Sequence, residues 1–158
     1  MKKIAFKEWS KVVQALGVGK QKIILRKGGI IEENDTFSVK EKEFLLLPTL
    51  YHQQDEKVKK SWLKTVGDED IYYEDTYKVW IHFEAKVQEV KEITSWDELK
   101  ALEHLHVWNE EVIRERYNRW QEHQVTLLRV AVNKLETPIL LDLLPAHGGC
   151  KSWIEIDV

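Results

Sequence analysis

Four cations, Lys20, Lys22, Arg26 and Lys27, are interleaved with aliphatic residues in the stretch GKQKIILRKGGI, Gly19 to Ile30. A basic extended segment of this kind attracts phosphate oxygens by charge and carries no sequence information of its own. Further along, PTLYHQQ presents Tyr51, His52 and Gln53 just after an apolar run. A tyrosine ring stacks on bases, and an amide bonds to base edges. Together the two stretches describe a nucleic-acid-recognition surface for DNA or RNA, with Lys20, Lys22, Arg26 and Lys27 on phosphates and Tyr51, His52 and Gln53 on a base. Arg129, set among apolar residues in LLRVAV, either is buried against a carboxylate or joins that surface. The plainer alternatives are lysines that keep a strand edge soluble and unpaired, and a loop whose polar side chains bond their own backbone.

A different chemistry is open to Glu84-Ala85-Lys86 with Asp70 or Asp75 upstream. This resembles the acidic-x-lysine element of restriction-type nucleases, in which two carboxylates hold magnesium and the lysine positions the attacking water. The same short pattern recurs at Asp55 to Lys57, Glu89 to Lys91 and Glu98 to Lys100, as alternation on a solvent-facing segment would produce. Cys150 and His147, in AHGGCKSW, would pair a thiol with a base, but two glycines between them read as a turn with no orienting group. His104 and His106 cannot share a helical face, and no HExxH pair exists, so zinc is not expected. No cofactor is expected outside the nuclease reading, which alone calls for magnesium. The balance favours a non-catalytic role. Seven tryptophans allow a third possibility, a protein-interaction module.

The elements that would position these groups follow from periodicity. From Phe6, the spacing of Trp9, Val12, Val13 and Leu16 predicts an opening helix, with Gly17 as its C-terminal glycine. Lys22 to Leu25 and Thr36 to Val39 predict a hairpin turned at Gly28-Gly29; without GxGxxG or a glycine-rich run ending in Lys-Ser or Lys-Thr, this is no nucleotide cradle. Glu43 to Leu47 predicts a buried strand stopped by Pro48, and Gln53 to Tyr77 a helical turn and a long loop. Val79 to Gln88 alternates strictly and predicts a half-buried strand. SWDE, Ser95 to Glu98, is a capping box ahead of Leu99, Leu102 and Leu105. A second helix is predicted from Asn109, with Val112, Ile113, Tyr117 and Trp120 inward and the pairs Glu110 with Arg114 and Glu115 with Arg119 outward. Thr126 to Val132 predicts a strand, Pro138 a break, Ile139 to Leu144 a return, and Trp153 to Val158 a closing strand. This order predicts an α+β fold with a mixed, barrel-like sheet.

Composition limits the rest. A chain of 158 residues, 43% hydrophobic, suits one domain spanning 1–158. Its net charge of -3 and pI of about 6.1 exclude a globally basic polyanion binder, so any such surface must be local. The single cysteine excludes a disulfide framework and suits a reduced, cytoplasmic setting. MKKIAFKEW begins as a signal peptide does, but Lys7 and Glu8 interrupt it, and no run reaches membrane-spanning length. The sequence sets no oligomeric state.

KEW at Lys7 to Trp9, ILRKGGI at Ile24 to Ile30, FLLLPT with HQ between Phe44 and Gln53, LHVW at Leu105 to Trp108, Arg116, and LLRV at Leu127 to Val130 occur in the order found in an uncharacterised bacterial family. On these motifs, over nearly its whole length, the chain resembles the DUF1802 family. Members are sometimes fused to restriction-endonuclease-like domains, and the resemblance implies a role near DNA restriction or recognition. Where the family carries an acidic residue before its His-Gln pair, this chain has Tyr51, which takes a general base away from that position. More distantly the chain is similar to PUA-like barrels, including the ASCH group, which bind RNA or modified bases. Their GxKxxExR motif falls on Gly19, Gln21, Ile24 and Arg26, of which only the glycine and the arginine agree. The resemblance implies a PUA-like barrel-type sheet with flanking helices.

Overall fold

Ala5 and Phe6 are fully buried in an extended segment, and this sets the start of the molecule: β1, Lys2–Trp9, is a strand. The computed structural model describes residues 1–27, 41–51, 54–62, 71–149 and 151–158. The expected Gly28-Gly29 turn and the Thr36 to Val39 strand lie outside these residues. The other strands are β2, Ile23–Arg26, β3, Glu43–Thr49, β4, Tyr73–Asp75, β5, Lys78–Ile93, β6, Val125–Asp142, and β7, Trp153–Asp157. They form one seven-stranded sheet in the order β2-β6-β5-β3-β1-β7, with β4 added to β5. The β1 and β3 pair is parallel and the other pairs are antiparallel, so the expected mixed α+β sheet is present. The helices are α1, Ser10–Gly17, α2, Gln54–Lys57, α3, Trp96–Lys100, and α4, Glu110–Asn118.

Several local expectations change, each for a tertiary reason. Phe6 and Trp9 belong to β1 and not to the first helix, which starts only at Ser10. The backbone of Phe6 is paired with Leu46 and Trp153, partners too distant in sequence for local spacing to reveal. Gly17 is no left-handed cap. A Cβ there would lie 2.4 Å from the Phe83 ring, so the glycine is needed for close approach, while Gly19 takes the positive φ. Pro48 does not stop β3, because β5 accompanies β3 only from Glu43 to Leu45. Beyond that point the missing N–H faces no β5 ladder, and the Pro48 carbonyl accepts the Tyr73 hydroxyl at 2.8 Å. β6 likewise runs through Pro138, which sits in a bulge, Leu135 to Pro138, opposite His82 between the pairs Phe83 with Lys134 and Ile81 with Ile139.

Other expectations hold. Ser95 accepts from the Glu98 amide at 3.3 Å, although the Glu98 carboxylate goes to Lys91 and not back to the cap. Asn109 caps α4 by accepting from Val112 at 3.0 Å, and the pairs Glu110 with Arg114 and Glu115 with Arg119 form. Phe6, Phe44 and Trp153 pack ring to ring at 4.8 to 5.6 Å across the neighbouring strands β3, β1 and β7.

Among the described residues the sheet does not close by a backbone ladder. β7 accompanies β1 only as far as Phe6. Beyond it, Arg26 at the end of β2 donates to the Lys7 carbonyl at 2.8 Å, and Arg116 of α4 donates to the Leu25 carbonyl at 2.8 Å. Two guanidinium groups therefore stand where a closed barrel would have strand pairing. Both also line a cleft.

Candidate functional site

A cavity of about 450 Å³ opens where these elements meet. Trp9 reaches it from the end of β1, Arg26 from the end of β2, Lys27 from just past it, Tyr51 from just past β3, and Lys57 from α2. Helix α4 contributes Glu111, Val112, Glu115 and Arg116, and Arg119 follows from the next turn. Cations outnumber carboxylates five to two in this lining, against the negative net charge of the whole chain. The lining therefore carries an excess of positive charge, and Lys57, Arg116 and Arg119 join Arg26 and Lys27 in supplying it.

Arg26 is anchored from below. Its Nη2 donates to the buried Glu8 carboxylate at 3.2 Å as well as to the Lys7 carbonyl, its guanidinium lies over the Phe6 ring at 4.7 Å, and its buried Nε has no partner among the described residues. Arg116 is buried, with its guanidinium over the Trp9 and Trp108 rings at 5.2 and 4.8 Å. Burial first, then the neighbouring Arg26 charge, brings the Arg116 pKa down to about 10, while Glu8 and Glu115 oppose the shift. Trp9 stacks on Tyr51, with centroids 4.7 Å apart and planes at 29°. Glu115 grips Arg119 through Nε at 2.9 Å and Nη2 at 2.7 Å, and this lowers the carboxyl pKa and raises that of the guanidinium. The site therefore combines fixed positive charge with an aromatic wall. Glu8 and Glu115 are each engaged with an arginine, and the cations that remain favour an anion over a metal ion.

The predicted residues separate into groups. Arg26, Lys27 and Tyr51 line the same cavity, so the basic strand does meet the PTLY segment across a cleft. The Lys27 ammonium, however, donates to the Tyr117 carbonyl at 3.1 Å and to the Glu122 carbonyl, and burial lowers its pKa. Lys20 lies elsewhere, 4.3 Å over the Trp62 ring, in a depression shared with Lys59 and Lys100. Lys22 is exposed ahead of β2, and Arg129 is exposed on β6 with Glu89 at 3.7 Å. Arg129 thus has its carboxylate partner, but at the surface and outside the cavity. His52 and Gln53 lie outside the described residues, as do Cys150 and Asp70.

Of the nuclease alternative's carboxylates that lie among the described residues, Asp75 and Glu84 do not converge. Asp75 pairs with Lys78 at the start of β5, and Glu84 follows six positions later, roughly 20 Å along the strand. Lys86 forms an ion pair with Glu43 at 3.7 Å. Among the described residues, no three His, Cys, Asp or Glu side chains gather to hold a metal. His147 accepts from the Leu144 amide at 3.0 Å through Nδ1.

Glu8, Trp9 and Arg116 are among the site residues that spacing did not single out as functional, as are Lys57, Glu111, Glu115 and Arg119. Arg116 did leave a signal, since it falls on the buried face of α4 with Val112, Ile113 and Tyr117, where a cation is out of pattern. Glu8 left none in local spacing and enters the sequence reading only within the KEW motif, because its partner Arg26 comes from another strand.

A family model described as domain of unknown function (DUF1802) matches residues 5–158. No curated protein matches the chain. Among solved structures, an ASCH protein from Zymomonas mobilis aligns with a TM-score of 0.53 at 10% identity. A serine-to-alanine mutant of the ASCH protein from Zymomonas mobilis aligns with a TM-score of 0.54 at 9% identity. Each alignment covers 98% of this chain and 87% of the other. At that identity the likeness carries the PUA-like fold and nothing about activity.

Proposed function

The chain belongs to the DUF1802 family, and we propose that it is a non-catalytic nucleic-acid-recognition domain that takes an unpaired nucleotide, ordinary or modified, into the Trp9 and Tyr51 cleft. The observation that carries this reading is the charge balance beneath the stacked rings. The buried Glu8 carboxylate is bonded to Arg26, and the Arg26 charge acts on the buried Arg116, which Glu8 and Glu115 offset only through space. A ligand phosphate supplies the missing negative charge, and a base finds an aromatic wall beside it. The 450 Å³ volume suits one nucleotide-sized group and excludes a duplex. Lys20 and Lys22, outside the cavity, act as phosphate contacts for flanking nucleotides. A cytoplasmic role beside DNA restriction is consistent with this reading, and no helix among the described residues is long and apolar enough to cross a membrane.

Retention of single-stranded RNA and DNA, measured over a salt series, tests the proposal. Affinity falls steeply as salt rises, and Tyr51→Ala weakens binding by roughly 1–3 kcal/mol while the salt slope stays the same. Absence of salt-sensitive binding to either polymer, or an unaltered affinity in Tyr51→Ala, would overturn it.

A further inference from the structure

Among the described residues, only Trp120 and Gln121 hold positive φ without being glycine, each at 58°. Two consecutive left-handed residues with bulky side chains are disfavoured, and such strain persists only where the surroundings impose it. The surroundings here are specific. Lys27 reaches from just past β2 and donates to the carbonyls of Tyr117 and Glu122, the two shoulders of the turn. The Gln124 amide bonds to the same two carbonyls at 3.1 and 2.8 Å, and the Glu122 amide closes onto the Arg119 carbonyl at 3.2 Å. A cavity residue therefore locks the turn that departs from helical geometry.

The turn displaces an aromatic residue. Helical spacing would continue Trp120 along the buried face of α4, yet it stands 40% exposed, with the Arg119 guanidinium 5.9 Å from its ring. Arg119 itself lines the cavity. It spends Nε and Nη2 on Glu115, and among the described residues Nη1 has no hydrogen-bond partner.

We propose that Trp120 is a second stacking platform, so that the site takes a single strand of at least two unpaired nucleotides, one in the cleft and its neighbour on the Trp120 ring. Arg119 contacts the phosphate between them. The inference rests on the reading of the cleft given above and adds to it a minimum ligand length and the residue that sets it. Lys27 acts as a positioning residue that holds the platform turned outward.

Calorimetric titration with a nucleoside 5′-monophosphate and with a single-stranded dinucleotide separates the two claims. The wild-type chain binds the dinucleotide roughly five- to a hundredfold more tightly than the monophosphate. Trp120→Ala abolishes that gain, and Trp120→Phe restores most of it, as stacking requires and a structural role would not. Thermal unfolding of each variant verifies that the fold persists. Monophosphate binding with no dinucleotide gain in the wild type, or a gain that survives Trp120→Ala, overturns the platform alone. If the wild type binds neither ligand, the cleft reading falls and the platform falls with it.

Discussion

Arg116 shows how far a single side chain can depart from its local pattern. It occupies an apolar position of α4, and its guanidinium is held between tryptophan rings and the Leu25 carbonyl, with no carboxylate bonded to it among the described residues. His106 belongs to the same neighbourhood. Its ring is buried against Trp108 at 5.5 Å, and Nδ1 has no partner among the described residues. Burial first, then the charges of Lys59 and Arg116, brings its pKa down to about 3, with a backbone hydrogen bond and His104 as smaller influences. The folded chain therefore refuses a proton that the unfolded chain accepts below about pH 6.5. Stability is complete above that value and is lost as the pH falls from about 6.5 toward 3, by up to about 1.4 kcal/mol per pH unit. Urea unfolding at a series of pH values between 7.5 and 4.5 reads this slope, and His106→Gln should flatten it. Equal slopes in the two proteins would remove His106 as the source. At this scale the sequence singled out Arg26 and Tyr51, each by the chemistry of its own stretch, and both line the cavity. It could not mark Glu8, whose role depends on a strand far away in the chain.

Among the elements, α1 has the least ordinary start. Trp9 precedes it without a capping side chain, so the first amides of the helix need a partner from elsewhere. Gln54, the first residue of α2, provides it. Its Oε1 accepts from the Lys11 amide at 3.1 Å, and its Nε2 donates to the Ser10 hydroxyl at 3.1 Å, all within a buried contact. The cap also ties the segment after Tyr51 to the end of β1, which keeps Tyr51 against Trp9. Gln54→Ala should cost about 1–2 kcal/mol in chemical denaturation and loosen the cleft, seen as faster amide exchange at the start of α1. Unchanged exchange there would show that the helix start does not depend on Gln54. Periodicity found α4 and the body of β5 because their patterns repeat with the helix or strand period. It stopped β3 at Pro48 and β6 at Pro138 because proline ends a strand only where a neighbour needs its N–H. Which neighbours are present at those positions is not a local property.

For the molecule as a whole, β1 is the organising strand. It joins a parallel partner, β3, to an antiparallel one, β7, and so brings the two ends of the chain together. Trp153, Ile154 and Ile156 of β7 are buried, and the Trp153 ring lies 4.8 Å from Phe6 and 5.0 Å from Phe44. Each such side chain contributes roughly 1.5–3 kcal/mol, so together they rival the whole stability of about 5–15 kcal/mol typical of a domain. Truncation before Ser152 should therefore abolish cooperative unfolding and near-ultraviolet dichroism. A truncated chain that still unfolds in one sharp transition would assign the core to the remaining strands. From the sequence alone came the α+β class, the family resemblance, the caps of α3 and α4, and the expectation that positive charge must be local. These follow from composition and from patterns read within a few residues. Only the tertiary structure decided that β1 is a strand, that Arg26 and Arg116 fill the gap between β1 and β2, and that Lys20 and Arg129 lie apart from Tyr51. Each of those outcomes depends on which distant segments become neighbours, and hydrogen-bond partners across a sheet leave no trace in local spacing.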